Sequence, residues 1–201
     1  MIDIVRPSLK ERQRKLREDA ILDGAATLMD TKGFTAMTMD DVANEVGISK
    51  ATLYQHFPSK GDLAVNVAVR GLDRAYEQIA AIDPDLPADE RLKQLIEKLI
   101  GLRFGPGGAR FIEAIPEIVQ TLKSQSPYKE KETRNAALIS QFVEDASKAR
   151  VLGKGLSTFV VVRSIIGLMR YCEFEIEIRE GKVTVPEIID TVCRMILKYE
   201  D

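Results

Sequence analysis

The 201-residue chain has no tryptophan, one histidine and two cysteines, and aromatic residues make up only 6% of it. Cys172 and Cys193 show no CxxC spacing, and His56 is distant from both in the chain. Because a zinc site needs several such ligands close together, the sequence predicts no metal site and no cofactor. Two isolated thiols within apolar helical patterns are typical of reduced core residues in a cytoplasmic protein.

Long uninterrupted hydrophobic runs are also scarce. Residues 1–5 are too few to form the apolar part of a signal peptide. The most apolar window, residues 156–178, is interrupted by Arg163 and Arg170. Each central charge would cost about 2.5–3.5 kcal/mol in a bilayer. The window therefore predicts a buried bundle helix, and no membrane partner is expected.

An excess of charge of one sign is absent as well. The net charge is −2, and residues 1–60 carry as many acidic as basic side chains. This balance excludes a protein that coats nucleic acid through bulk charge alone. Basic residues nevertheless outnumber acidic ones up to Arg17. This arm is either a solvated helix face or a source of DNA contacts through Arg12, Arg14 or Lys15.

The residues that are abundant indicate an all-α fold. Apolar residues make up 45% of the chain and charged residues 30%, and good helix formers fill the windows between breakers. Thr38 and Asp41 have the spacing of a capping box, which marks the start of a helix. We predict helices near residues 8–32, 38–47, 49–57, 59–82, 88–104, 108–123, 127–150, 156–180 and 185–199. We place the domains at 1–60 and 61–201.

The segment from Val42 to Phe57 has the pattern of a helix-turn-helix. Two helices that cross at a steep angle need a small residue at the crossing, which Ala43 supplies. The tight turn needs a residue that tolerates positive φ, which Gly47 does without a Cβ clash. Leu53 then packs the second helix onto the core. The steps of four and then six residues between these positions predict a DNA-reading motif.

The second helix of this motif presents a polar, hydrogen-bonding face. Gln55 has the chemistry to pair with adenine and Lys50 with guanine, while Ala51 and the methyl group of Thr52 suit a thymine methyl. Thr38, Tyr54 and Lys60 are better placed for phosphates. His56 has the same prediction, with core packing as its alternative and a metal or catalytic role disfavoured by the lack of partner ligands. The predicted DNA-binding residues are Arg12, Arg14, Thr38, Lys50, Ala51, Thr52, Tyr54, Gln55, His56 and Lys60.

Several segments together resemble the N-terminal signature of the TetR/AcrR family. They are Ile21–Leu28, Gly33–Phe34, Thr38–Ala43, Gly47–Ser49 and Thr52–Lys60. The resemblance covers residues 12–65, and beyond residue 86 only helical character agrees with it. Gly24 and Met29 depart from the pattern, since alanine and phenylalanine are commoner there. We expect them to soften the packing of the first helix.

The resemblance implies a homodimeric, all-α regulator with an N-terminal three-helix DNA-binding domain and a C-terminal helical domain for ligand binding and dimerisation. By analogy, the helices near 156–180 and 185–199 form the dimer bundle. The residues agree with this expectation. Phe159, Val162 and Ile166 begin one apolar stripe, while Val161 and Ile165 begin another. A helix that is apolar on two sides needs two partners, and one of them can be a second subunit.

The C-terminal part also contains a mixture of arginine and aromatic side chains suited to a small-molecule effector. The candidate ligand-binding residues are Arg103, Phe104, Arg110, Phe111, Tyr128, Arg170, Tyr171 and Phe174. An unpaired arginine there would favour an anionic effector. The alternative is an ion-pair network of Arg163, Arg170 and Glu177, because buried charges are usually paired. The glycine-rich residues 105–108 are interpreted as a helix-helix turn, since no phosphate-loop lysine follows.

The sequence thus predicts a ligand-responsive transcriptional regulator, a repressor that binds a palindromic operator as a homodimer. No nucleophile–base pair, metal cluster or cofactor loop is visible, so an enzyme is not expected. A dimeric module that has lost DNA binding remains an alternative. The intact polar face of residues 50–56 argues against it.

Overall fold

The computed structural model describes residues 8–104, 126–171 and 174–198. These residues form α-helices joined by turns, with one isolated β-bridge between Leu152 and Leu197. In chain order the helices are α1 (Leu9–Lys32), α2 (Met39–Val46), α3 (Lys50–His56), α4 (Lys60–Ala80), α5 (Ala88–Phe104), α6 (Ser126–Lys148), α7 (Thr158–Tyr171), α8 (Glu175–Arg179) and α9 (Val185–Ile196). The all-α prediction is confirmed.

Local capping signals fix the starts of the first four helices. The side chains of Ser8, Thr38, Ser49 and Ser59 each accept a hydrogen bond from the backbone N–H three residues later. These bonds satisfy donors that the first turn of a helix leaves without a partner. The predicted N-termini of α1 to α4 are therefore confirmed, and so is the capping box of Thr38 and Asp41.

A first apolar core lies among α1, α2, α3 and the beginning of α4. Ile21, Val42, Leu53 and Leu63 are all completely buried in it. The core extends along α4 as far as Ala68, so a boundary at residue 60 would divide one packed cluster. It also contains Tyr128 from α6.

A second core is built from the end of α4 together with α5, α6, α7 and α9. Ile79 of α4 and Leu95 of α5 are completely buried there, as is Val143 of α6. Because α4 contributes to both cores, it connects them with a rod of 21 residues. At 1.5 Å per residue the rod is about 32 Å long.

The prediction of one helix over residues 156–180 is wrong. Helix α7 begins at Thr158, α8 begins only at Glu175, and Phe174 between them has the non-helical role of an N-cap, with φ −86° and ψ 0°. At this break the ring of Phe174 packs against that of Phe104, with the centroids 6.0 Å apart. Tertiary packing thus overrides the helical pattern. The helix predicted near 108–123 lies outside the described residues.

Two expectations about special sites concern the second half of the chain. Cys193 is buried in the second core and forms no disulfide, as predicted, and burial raises the pKa of its thiol to about 11. Cys172 lies outside the described residues. Within the described ranges, no helix has both the length and the apolar character needed to cross a membrane.

Candidate DNA-binding interface

The turn between α2 and α3 has the predicted geometry. Gly47 adopts a left-handed conformation at φ 72°, where a side chain would be strained. The backbone N–H of Ile48 donates to the carbonyl of Ala43 at 3.0 Å, which closes the turn. Ala43 and Leu53 are buried at the crossing. The pair of helices is therefore held firmly, with α3 on the outside of the first core.

Gly24 has a different role from the one expected. A Cβ atom at Gly24 would lie 2.8 Å from Cγ2 of Val46, which is shorter than a normal contact between carbon atoms. The glycine therefore lets α1 and the end of α2 approach closely. The expectation that it softens the packing of α1 is wrong, because the missing methyl group permits the contact.

The outer face of α3 carries the side chains expected to read DNA. Lys50, Ala51 and Gln55 are exposed, and the side chain of Tyr54 is about half exposed. Thr52 is half-buried, and its hydroxyl lies 2.8 Å from the hydroxyl of Ser49, the N-cap of α3. Its methyl group remains the part suited to a base contact. Helix α3 itself carries no acidic residue.

Two lysines at the edges of this face are engaged within the chain. Lys50 forms an ion pair with Asp40 of α2. Nζ of Lys60 donates to the carbonyl of Thr35 at 3.2 Å and lies 4.3 Å from the centroid of the Phe34 ring. Burial lowers the pKa of Lys60. Both ammonium groups are thus positioned before any DNA is present.

The carboxylate of Asp41, in the first turn of α2, stabilises the N-terminus of this helix. Lys32 donates to Asp41 at 2.9 Å, and the backbone N–H and hydroxyl of Thr38 donate to it at 2.9 and 2.8 Å. The bond from Lys32, followed by those from Thr38, lowers the pKa of Asp41 to about 2. Thr38 is exposed at this helix N-terminus, where the helix dipole favours a phosphate.

The beginning of α1 extends from the core with Arg12, Arg14 and Lys15 exposed. Nε of Arg14 donates to Glu18 at 3.0 Å. The same carboxylate oxygen of Glu18 lies 3.1 Å from Nδ1 of His56. One carboxylate thus connects the basic arm with the end of α3.

His56 is not placed as a DNA contact. Its side chain is 7% exposed, and the ring lies against α1 beside Glu18. The interaction with Glu18 and the burial together assign His56 to the packing of α3, which was the alternative interpretation. Its neighbour Phe57 is buried in the first core.

Among the described residues predicted to bind an effector, Tyr128 lies in a different core from Phe104 and Phe174. Tyr128 is buried in the first core, together with residues of α1 to α4. Phe104 and Phe174 do meet, and the guanidinium of Arg103 lies 5.4 Å from the centroid of the Phe104 ring. Arg110 and Phe111, together with the side chains of Arg170 and Tyr171, lie outside the described residues.

An apolar crevice does occur within the described part of the second core. It lies among α5, α7 and α9 and has a cavity volume of about 10 Å³. Its lining is aliphatic and includes Ile100, Leu168, Met169 and Val192. A cavity of this size has room for about one water molecule, whereas drug-sized ligands usually occupy about 300–1,000 Å³. The crevice, as it stands, therefore has no room for an effector.

A polar network between α4 and α6 was not predicted. Lys131 donates to the two carboxylate oxygens of Asp73 at 2.6 and 2.5 Å, and Arg134 donates to one of them at 3.1 Å. Partial burial acts to raise the pKa of Asp73, but these hydrogen bonds outweigh it and the pKa is lowered. The buried side chain of Asn135 donates to the carbonyl of Leu72 at 2.8 Å.

A second network joins α4 to α1. Arg70 donates to the carbonyl of Asp19 and to the carboxylate of Asp23, each at 2.9 Å. Arg74, one turn further along α4, donates to the same carboxylate of Asp23 at 2.8 Å. Helix α4 is therefore hydrogen-bonded both to α1 and to α6.

The described residues form a helix-turn-helix domain joined to a helical second domain. Residues 21–67 match the family model for bacterial regulatory proteins of the tetR family. This stretch, the region of α1 to the beginning of α4, is therefore similar to the DNA-binding domain of that family. The curated relatives that match are named as transcriptional regulators.

Relatives agree over the same region. The regulator AlkX of Mycobacterium tuberculosis is 38% identical over 71 residues, 35% of this chain and 34% of AlkX. IcaR of Staphylococcus aureus, a negative regulator of the biofilm operon icaADBC, is 51% identical over 43 residues, 21% of this chain and 23% of IcaR. The chain thus matches about a third or less of these curated relatives.

The similarity in fold extends over most of the chain. The crystal structure of AibR in complex with isovaleryl coenzyme A and operator DNA superposes with a TM-score of 0.67. It covers 89% of this chain and 97% of that one, at 20% sequence identity. At this identity the similarity supports the fold of both domains but carries no information on the ligand.

Proposed function

We propose that this protein is a ligand-responsive transcriptional repressor that binds a palindromic DNA operator as a homodimer. The observation that carries the proposal is the outer face of α3, where Lys50, Ala51 and Gln55 are exposed on a helix without acids. Lysine and glutamine can read guanine and adenine edges in the major groove. The exposed residues Arg12, Arg14, Thr38 and Tyr54 and the edge residue Lys60 would contact phosphates.

An uncovered apolar surface supports the homodimer. Phe159 of α7 is 74% exposed and Met195 of α9 is 71% exposed, while Val160 and Leu156 nearby are exposed as well. Large apolar side chains grouped on a helical surface commonly mark an interface. A dimer through α7 and α9 would place two copies of α3 about one helical turn of DNA apart, about 34–36 Å.

The connections of α4 support ligand response. A molecule bound in the second domain would change the position of α6 or α5, and the networks at Asp73 and Asp23 would transmit that change along α4 to α1. A coupling free energy of about 1–3 kcal/mol between effector and DNA is sufficient for induction. Such a regulator would act in the cytoplasm, where its operator is located.

Gel shifts with the gene's own upstream DNA, at about 50 and 200 mM salt, test the proposal. The wild-type chain should retard a fragment of this DNA, and affinity should fall as salt rises. Gln55→Ala should bind the same fragment more weakly, while Gln141→Ala, a change of the same type on the exposed face of α6, should bind as wild type does. Absence of binding at the lower salt concentration would contradict the assignment.

A further inference from the structure

Two adjacent carboxylates of α2 have different partners. Asp41 accepts hydrogen bonds from Lys32 and from the N-cap Thr38, so it stabilises the start of the helix. Asp40 instead forms an ion pair with Lys50, the first residue of the recognition helix α3. Both side chains of this second pair remain accessible, at 52% for Asp40 and 61% for Lys50. The pair therefore lies at the surface that would face DNA.

An anion at this position is unexpected in a surface that must approach phosphates. An exposed ion pair adds little to folding stability, so stability does not explain its placement. Its position has a consequence for recognition instead. The ammonium group of lysine has three N–H donors, and a carboxylate that accepts one of them leaves the others for a base edge. Asp40 thus restricts where Lys50 points without removing its ability to donate.

We propose that Asp40 is a specificity-determining residue, which holds Lys50 toward the base edges and keeps it from binding phosphates at any sequence. The inference rests on the proposed DNA-binding function. At a matching site, Lys50 keeps its bond to Asp40 and donates a further hydrogen to a guanine acceptor. On unrelated DNA, Lys50 would have to give up the carboxylate of Asp40 to bind a phosphate, so the exchange adds little to the affinity.

The test measures Asp40→Asn against wild type on two DNA probes. One is a 30-base-pair duplex of random sequence, and the other is the tightest-binding duplex that the wild-type chain selects from a random library. Dissociation constants are measured across a salt series. Glu45→Gln is the matched control, because it removes the same charge from an exposed position of the same helix. Asp40→Glu keeps the charge and should restore wild-type behaviour.

We expect Asp40→Asn to bind the random duplex about 3- to 10-fold more tightly at low salt. The slope of log affinity against log salt should become steeper by up to about 0.9, which corresponds to one more phosphate contact. The selected duplex should gain less, so the ratio of the two affinities falls. Glu45→Gln should leave the ratio unchanged. In a Lys50→Ala background, Asp40→Asn should have little effect on either duplex.

Three results would overturn the inference. Equal effects of Asp40→Asn and Glu45→Gln would mean that only net charge matters. Tighter random-duplex binding by Asp40→Asn in the Lys50→Ala background would mean that Asp40 does not act through Lys50. Weaker binding of both duplexes, with an unchanged melting temperature, would mean that Asp40 only positions α3. If wild type selects no sequence at all, the proposed DNA-binding function fails instead, and the two failures are distinguishable.

Discussion

Gly24→Ala should destabilise the protein, although alanine is the better helix former. In the interior of a helix, alanine is favoured over glycine by about 0.8–1.0 kcal/mol. The added Cβ would, however, lie 2.8 Å from Cγ2 of Val46 and 3.4 Å from Cγ of Glu45. Val46 is β-branched and cannot easily rotate away. Overpacking of this kind costs about 1–3 kcal/mol, so the free energy of unfolding should fall by about 0–2 kcal/mol.

Urea unfolding at one fixed protein concentration measures this effect, since a dimer makes stability depend on concentration. In a Val46→Ala background the clash is absent, and Gly24→Ala should then stabilise by up to about 1 kcal/mol. Gly101→Ala in α5 is the control, because nothing lies within 4 Å of its added Cβ. The reasoning is refuted if Gly24→Ala stabilises the wild-type chain as much as Gly101→Ala does.

Three further predictions concern pH, recognition and assembly. Asp41→Asn should lower the melting temperature at pH 7. The hydrogen bonds from Lys32 and from the N-cap lower the pKa of Asp41 from 3.8 to about 2. The difference in melting temperature between this variant and wild type should therefore disappear as the pH falls from about 3.8 to about 2. Gln55→Ala should relax preference at one base pair, whereas Lys60→Ala should weaken binding to all duplexes alike, as single-base substitutions in a bound duplex would reveal. Phe159→Asp should convert a dimer to monomers in sedimentation velocity, and an unchanged dimer would show that this face is not the interface.

The helix boundaries of the helix-turn-helix domain could be predicted because their signals are local. A serine or threonine N-cap acts on a backbone donor three residues away, and Gly47 determines its own turn. The spacing of Ala43, Gly47 and Leu53 likewise needs no knowledge of the remaining chain. These features therefore determined the helix-turn-helix and its exposed face from the sequence.

Contacts between distant residues could not be predicted in this way. The interaction of His56 with Glu18 joins positions 38 residues apart, and that of Lys131 with Asp73 joins positions 58 apart. Neither pair has a periodic signal, since any exposed acid is an equally plausible partner. The position of Tyr128 in the first core could not be predicted for the same reason. An aromatic residue near the start of a helix gives no indication of which core it enters.

The Leu63-to-Ala68 stretch of α4 and Tyr128 of α6 also determine how the protein can be recombined with others. A hybrid regulator that joins residues 1–60 to a foreign sensor would lack the aliphatic side chains and the aromatic ring that cover the first core. The helix-turn-helix domain of such a hybrid would expose apolar surface even if every DNA-contacting residue were kept. A hybrid that works should carry the donor sequence through Ala68 and an aromatic residue in the place of Tyr128. The unit that can be exchanged is thus discontinuous in sequence.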